Sequence, residues 1–218
     1  MENIKILRDK TGAGMVDCKK ALDQAGGNID RAVEILRKKG LAKAAKRSDR
    51  ETREGVIKVA LEGDTKIGYI MEMNAETDFV VRSEKFQELA AKVMRLVREK
   101  QPQNLADLMA LEIDGASVKE NLDGLSGVIG EKLVIKKYDL LKSAGTVAAY
   151  SHAGGRIGVL VALSKEGQSD IAYDLAMQIA AANPKYIYPE NVPADEIERE
   201  KEIYRAQLLK ESKPNNMI

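Results

Sequence analysis

N-A-E-T-D-F-V-V-R, residues 74–82, joins two stretches of different hydrophobic period. Before it, Ile67, Tyr69, Met71 and Met73 alternate along the chain as one face of a strand does. After it, Phe86, Leu89, Ala90, Val93, Leu96 and Val97 recur at helical spacing over a predicted helix from Ser83 to about Lys100. The stretch is therefore a strand-to-helix junction in a mixed α+β chain. Only two phenylalanines and no tryptophan occur in 218 residues, yet Phe79 stands beside Asp78, flanked by Asn74, Glu76 and Arg82. Two readings are open. Phe79 caps the nearby core as a hydrophobic staple, with Ser83 as the helix N-cap, or it is an exposed anchor for a partner.

Working outward, the strand before the junction is the return arm of a hairpin: Val56, Lys58 and Ala60 lie on the first arm and Glu62-Gly63-Asp64 on the turn. This plan recurs. A displacement of 90 residues places Gly55 on Gly145, Gly63–Thr65 on Ala153–Gly155, and Lys66-Ile67-Gly68 on Arg156-Ile157-Gly158. The helix that follows the second hairpin, Ile171 to Ala182, aligns through Leu89-Ala90 on Leu175-Ala176, a displacement of 86. Four residues are thus extra in the first copy, and they lie between Met73 and Phe86. A segment that one copy carries and its twin omits favours a functional, exposed Phe79 over a scaffold role.

Upstream, Ile4 and Leu7 mark a short helix broken by T-G-A-G-M at 11–15, and a second runs from Val16 to Gln24. Gly26-Gly27 stop it, and Asn28 caps a third helix carrying Ile29, Ala32, Val33 and Leu36, ending at Lys39-Gly40. Between Arg37 and Glu54 eight basic residues face Asp49, Glu51 and Glu54, which reads as a solvated linker or as a contact to RNA or an acidic protein face. Between the repeats come helical stretches at Asn104–Leu111 and Ser117–Ile129 and a strand at Leu133–Tyr138. After Asn183-Pro184 an irregular stretch leads to a helix from Pro193 to about Ser212, whose apolar stripe is only Ile197, Tyr204 and Leu208. The predicted organisation is a three-helix unit at 1–40, a basic linker at 41–54, core subdomains at 55–140 and 141–192, and a C-terminal helix at 193–218.

Composition narrows the function. Lys plus Arg (35) nearly balances Asp plus Glu (34), which argues against whole-chain attraction to nucleic acid or acidic lipid. No run reaches the roughly 18–20 apolar residues that span a bilayer, and the N-terminus lacks a signal-peptide core, so the cytoplasm is the expected location. Cys18 is alone, which leaves no internal disulfide, and it makes no zinc site. No phosphate loop, dinucleotide fingerprint, H-E-x-x-H or nucleophile elbow occurs, and His152 is the only histidine. Gly154-Gly155 is a hairpin turn. The expectation is a binding protein with no catalytic residues, no metal and no cofactor.

Four blocks add a resemblance. L-R-D-K-T-G-A-G-M-V-D-C-K-K-A-L at 7–22, N-A-E-T-D-F-V at 74–80, H-A-G-G-R-I-G-V-L-V at 152–161 and A-A-N-P-K-Y at 181–186 resemble, in order, those of the bacterial translation elongation factor Ts family. The resemblance implies a ubiquitin-associated-like N-terminal domain and a core of two related α+β subdomains. It implies a guanine nucleotide exchange factor that binds the GTPase elongation factor Tu and does not itself bind nucleotide. In that picture Thr77, Asp78, Phe79 and Val80 form the exchange loop, with Asp78 and Phe79 intruding near the GTPase magnesium site. Arg8, Thr11, Met15, Val16 and Lys19 face its nucleotide domain, and Ile129, Gly130 and His152 face another of its domains. Against longer members, the chain is expected to end inside the first arm of a helical hairpin. The alternative function is an RNA- or ribosome-docking module built on the N-terminal helices and basic linker.

Overall fold

The computed structural model describes residues 2–210 of the chain. Three helices open it: α1 (Glu2–Thr11), α2 (Met15–Gln24) and α3 (Ile29–Ala45). Leu7, Cys18, Ala21, Leu22 and Ala32 are buried between them and form a small core of their own. The Asn28 side chain accepts from the Arg31 N–H at 2.9 Å and starts α3, as the sequence indicates.

The expected end of α3 at Gly40 is wrong. The helix runs on to Ala45, and Gly40 is buried in it rather than capping it. The reason is a helix–helix crossing with α7 (Val118–Ile129): a Cβ on Gly127 would fall 2.5 Å from the Gly40 Cα, so the two backbones touch. Glycine here permits close approach, and the signal that mimics a C-cap is a packing surface. Nor is the basic stretch a free solvated linker. Lys39 and Lys43 reach back to Asp17 of α2 at 2.7 and 3.1 Å, and their hydrogen bonds hold its carboxyl below the usual range. Arg47 donates to the Ser126 carbonyl at 3.2 Å.

β1 (Glu54–Leu61) and β2 (Ile67–Ala75) form the first hairpin. A two-stranded ribbon, β3 (Glu112–Ile113) with β4 (Ala116–Ser117), precedes α7, and β5 (Val134–Lys142) follows it to complete an antiparallel sheet of order β1-β2-β5. Between β2 and α7 lie α4 (Asp78–Arg82), α5 (Glu84–Lys100) and α6 (Leu105–Ala110). Tyr69, Met71, Met73 and Ala75 of β2 are buried, and Phe86, Leu89, Ala90, Val93 and Val97 of α5 fill the same core. The two periods single out all of these except Ala75, and also Ile67 and Leu96, which are half-buried against the same core. Removing one such side chain, Phe86→Ala for example, costs about 3–5 kcal/mol in a close-packed interior.

The second hairpin is β6 (Thr146–His152) and β7 (Ile157–Leu163), followed by α8 (Ser169–Ala182). The pairing repeats with the displacement read from sequence: Val56↔Met73 becomes Thr146↔Leu163 and Leu61↔Gly68 becomes Ser151↔Gly158, 90 residues on for each partner. The hairpin tip rests on β1, where the Ile57 N–H donates to the Gly155 carbonyl at 2.6 Å. Ala172 and Ala176 of α8 are buried at the places of Phe86 and Ala90, while Ile171, Tyr173, Leu175 and Met177 are exposed.

Residues 181–210 form a separate compact unit. In it a 3-10 turn at Pro189–Asn191 leads to α9 (Ala194–Lys210). Tyr186 donates to Glu196 at 2.8 Å and fastens the irregular stretch to the first turns of α9. The expected helix end at Ser212 lies outside the described residues.

Candidate partner-binding site

The insertion read from the repeat is α4, a five-residue helix in the connection from β2 to α5. The corresponding connection from β7 to α8 is S-K-E-G-Q, residues 164–168, with no helix. Thr77 is the N-cap, its hydroxyl accepting from the Val80 N–H at 3.5 Å. One turn of helix has little stability of its own, and α4 is held by burying Val80 and Val81 in the main core. Phe79, on the other side, is 82% exposed. This removes the staple reading, because a ring standing in solvent caps no core. Val80, the fourth residue expected in the exchange loop, is buried and faces the core. Asp78 pairs with Arg82 one turn on at 2.5 Å, an exposed i,i+4 pair of small energetic weight.

The root of α4 is gripped by the turn after α7. The Thr77 N–H donates to Glu131 Oε2 at 3.0 Å and its hydroxyl to Glu131 Oε1 at 2.7 Å. In the opposite direction the Lys132 N–H donates to Glu76 Oε1 at 2.7 Å. Arg50 adds bonds of 3.2 and 3.3 Å to the two Glu76 oxygens. Burial works against charge on Glu76, but the Lys132 amide and the Arg50 guanidinium outweigh it, and the carboxyl sits below the usual range. Lys132 Nζ in turn donates to the Ser48 and Arg50 carbonyls at 2.5 and 2.9 Å.

Just upstream, Asn74 is buried and its Oδ1 has no hydrogen-bond partner. It lies over Gly55, where a Cβ would fall 2.5 Å from that oxygen, so Gly55 makes room for the start of the junction.

Ile129, the last residue of α7, and Gly130, its C-cap at φ +94°, lie half-buried immediately before Glu131. Two sets of sequence candidates, 77–80 and 129–130, are thereby adjacent. Of the N-terminal set, Thr11 lies on the same cleft as Gly130. A side chain on Gly12 would meet Lys85 Nζ and Val128 Cγ1, so the α1–α2 turn faces the start of α5 and the end of α7. These elements line one cleft of about 750 Å³, with Thr11, Gly12, Lys85, Leu89, Val128 and Gly130 on its walls. Met15 (59% exposed) and Val16 (67% exposed) stand in solvent, with Lys19 on the same helix face and Arg8 exposed on α1. Thr11 is turned inward, donating to the Leu7 carbonyl at 2.6 Å, so its part is to shape the turn. His152 is exposed on the second hairpin, bonded through Nδ1 to the Tyr150 hydroxyl at 2.9 Å. Tyr150 packs edge-on against Tyr173 of α8.

Glu76, Glu131, Lys132 and Arg50 were not singled out by sequence reasoning. Their partners are 26 to 84 residues away, and no local period marks such a pairing. Among the described residues no cluster of His, Cys, Asp and Glu could hold a metal ion, and no helix is long and apolar enough to cross a membrane.

A family-wide sequence model described as Elongation factor TS matches residues 76–218. A protein named Elongation factor Ts from a Hydrogenobaculum species is 48% identical over 223 residues, covering 100% of this chain and 80% of the relative. Proteins of the same name from Nautilia profundicola and a Nitratiruptor species are 46% and 44% identical, each covering 99% of this chain and 73% of the relative. With a family match over most of its length and nearly all of its residues aligned to these relatives, the chain belongs to the elongation factor Ts family, a family of translation elongation factors.

Proposed function

We propose that this chain is a guanine nucleotide exchange factor, binding elongation factor Tu in its GDP state and promoting GDP release by inserting the Asp78–Phe79 end of α4 near the magnesium and nucleotide site. The observation that carries the reading is Phe79, an 82% exposed phenyl ring at the head of a helix anchored from behind. An exchange factor works by negative coupling: it binds the empty GTPase more tightly than the loaded one, and GDP weakens its binding by the same factor. The free energy must come from a contact made only when the nucleotide site is distorted. A phenyl ring buries roughly 150–250 Å², which at about 25 cal/mol per Å² is roughly 4–6 kcal/mol before ordering costs. That suffices to compete with part of a magnesium and phosphate network. Asp78 enters with Arg82 as its partner, so it brings an ion pair rather than a bare anion to that site.

The supporting contacts are Arg8, Met15, Val16 and Lys19 from the N-terminal helices and Ile129, Gly130 and His152 from the core. No bond is made or broken in this activity, so the chain is not an enzyme, and it needs no cofactor. The reading places it in the cytoplasm with its partner. The RNA-docking alternative is weakened by the basic stretch itself, where Lys39, Lys43, Arg47, Arg50 and Arg53 are all engaged within the chain. GDP release from purified elongation factor Tu, with and without the chain, tests the proposal. A chain that leaves release unchanged but binds RNA with a steep salt dependence would reverse the choice.

A further inference from the structure

We infer that Glu131 is a positioning residue for exchange: through Thr77 it holds α4, and with it Phe79, in the presented orientation. The inference rests on the exchange reading above. A five-residue helix does not persist alone, and a phenyl ring on a loose connection gains by folding back onto apolar surface rather than standing in water. Something must oppose that collapse. Val80 and Val81 hold the rear of α4, but two side chains on adjacent residues leave the helix free to pivot about them. The second restraint is at the N-cap. Both oxygens of Glu131 take donors from the one residue Thr77, at 3.0 Å from its N–H and 2.7 Å from its hydroxyl. With its proton committed to Glu131, the Thr77 oxygen offers a lone pair to the Val80 N–H. The chain from carboxylate to hydroxyl to amide fixes where α4 begins and which way it turns. Glu76, the residue before Thr77, reinforces this by accepting the N–H of Lys132, the residue after Glu131.

A general fold-stabilising role fits less well. The second hairpin passes from β7 to α8 through residues 164–168 with no α4 and no carboxylate on that connection's amides; there the Thr146 hydroxyl donates to the Lys165 carbonyl and accepts from the Gln168 N–H. A hairpin-plus-helix unit of this design therefore forms without it, and what the grip serves is the inserted segment. Glu131 is half-buried behind Thr77, so it acts through the residues in front of it.

The test is stimulated GDP release from elongation factor Tu across a range of exchange-factor concentrations, for the unaltered chain, Glu131→Gln, Glu131→Ala, Phe79→Ala and the Phe79→Ala/Glu131→Ala double variant, with melting temperatures. Glu131→Ala should lower the maximal rate about tenfold or more, as misplacement of a working group does. The half-saturating concentration should change far less, because the other contacts remain. Glu131→Gln keeps one acceptor for Thr77 and should fall between. If Glu131 acts through Phe79, the double variant should release GDP no more slowly than Phe79→Ala. A Glu131→Ala protein that matches the unaltered chain overturns the inference. So does one whose melting temperature and half-saturating concentration both worsen while the maximal rate holds, or one that adds its full factor to Phe79→Ala. An unaltered chain that does not accelerate release overturns the exchange reading, and this inference with it.

Discussion

Gly40 of α3 and Gly127 of α7 meet backbone to backbone, and the contact is asymmetric. A Cβ on Gly127 would lie 2.5 Å from the Gly40 Cα, whereas one on Gly40 would find its nearest neighbour, in Gly124, at 3.7 Å. The two alanine substitutions should therefore differ in sign. Gly127→Ala should destabilise by about 1–3 kcal/mol, as forced overpacking does. Gly40→Ala should be neutral or slightly stabilising, since glycine inside a helix costs about 1 kcal/mol relative to alanine. Thermal melts decide it, and equal losses for both would mean the helices do not cross at this point.

The same crossing bears on the N-terminal helices. Their core shares no buried residue with the main one, so removing residues 1–50 should leave a folded core with weaker affinity for the GTPase. Because α3 covers α7 and Arg50 braces Glu76, that core should also melt lower than the full chain. An unfolded product would contradict the independence of the two cores, and an unchanged melting temperature would contradict the docking of α3.

Acid should loosen the root of α4. The folded-state carboxyl of Glu76 lies below its ordinary value, so its contribution is complete above the usual carboxylate range and is lost as pH falls through the lowered value. Glu76→Gln should melt below the unaltered chain at neutral pH, and the gap should close as the solution is acidified. A gap independent of pH would show that charge on Glu76 contributes nothing.

Within residues 181–210, Ile203, Tyr204 and Leu209 of α9 are exposed, and Tyr186 fastens only the beginning of the helix. Backbone amides of α9 are expected to exchange quickly and those of β7 slowly. Uniformly slow exchange would show that α9 is covered in solution.

Much of this was legible in the sequence, for definable reasons. The 90-residue displacement carried the pairing register because strand pairing is fixed once two copies share a turn, and the α5 face followed from its period. The displacement also isolated α4 as an insertion, although not its helical form, which reverses the facing of neighbours and sends Val80 inward while Phe79 points out. Lys39-Gly40 misled because glycine after a basic residue is a helix-end signal, while here the glycine serves the close crossing with α7 and Lys39 pairs with Asp17. The grip of Glu131 on Thr77 joins residues 54 apart in sequence. Polar pairing at that separation leaves no periodic trace.

In the proposed mechanism Phe79 acts on the partner and not within the fold. Stimulated GDP release by Phe79→Ala, measured beside its melting temperature, tests this most directly. A ring already in solvent adds little to stability, so the variant should melt within about a degree or two of the unaltered chain, as surface substitutions do. Its stimulated release should be slower by about tenfold or more, since roughly 1.4 kcal/mol of lost coupling is a factor of ten. A variant that melts far lower yet exchanges normally while folded would contradict the account and return Phe79 to the core.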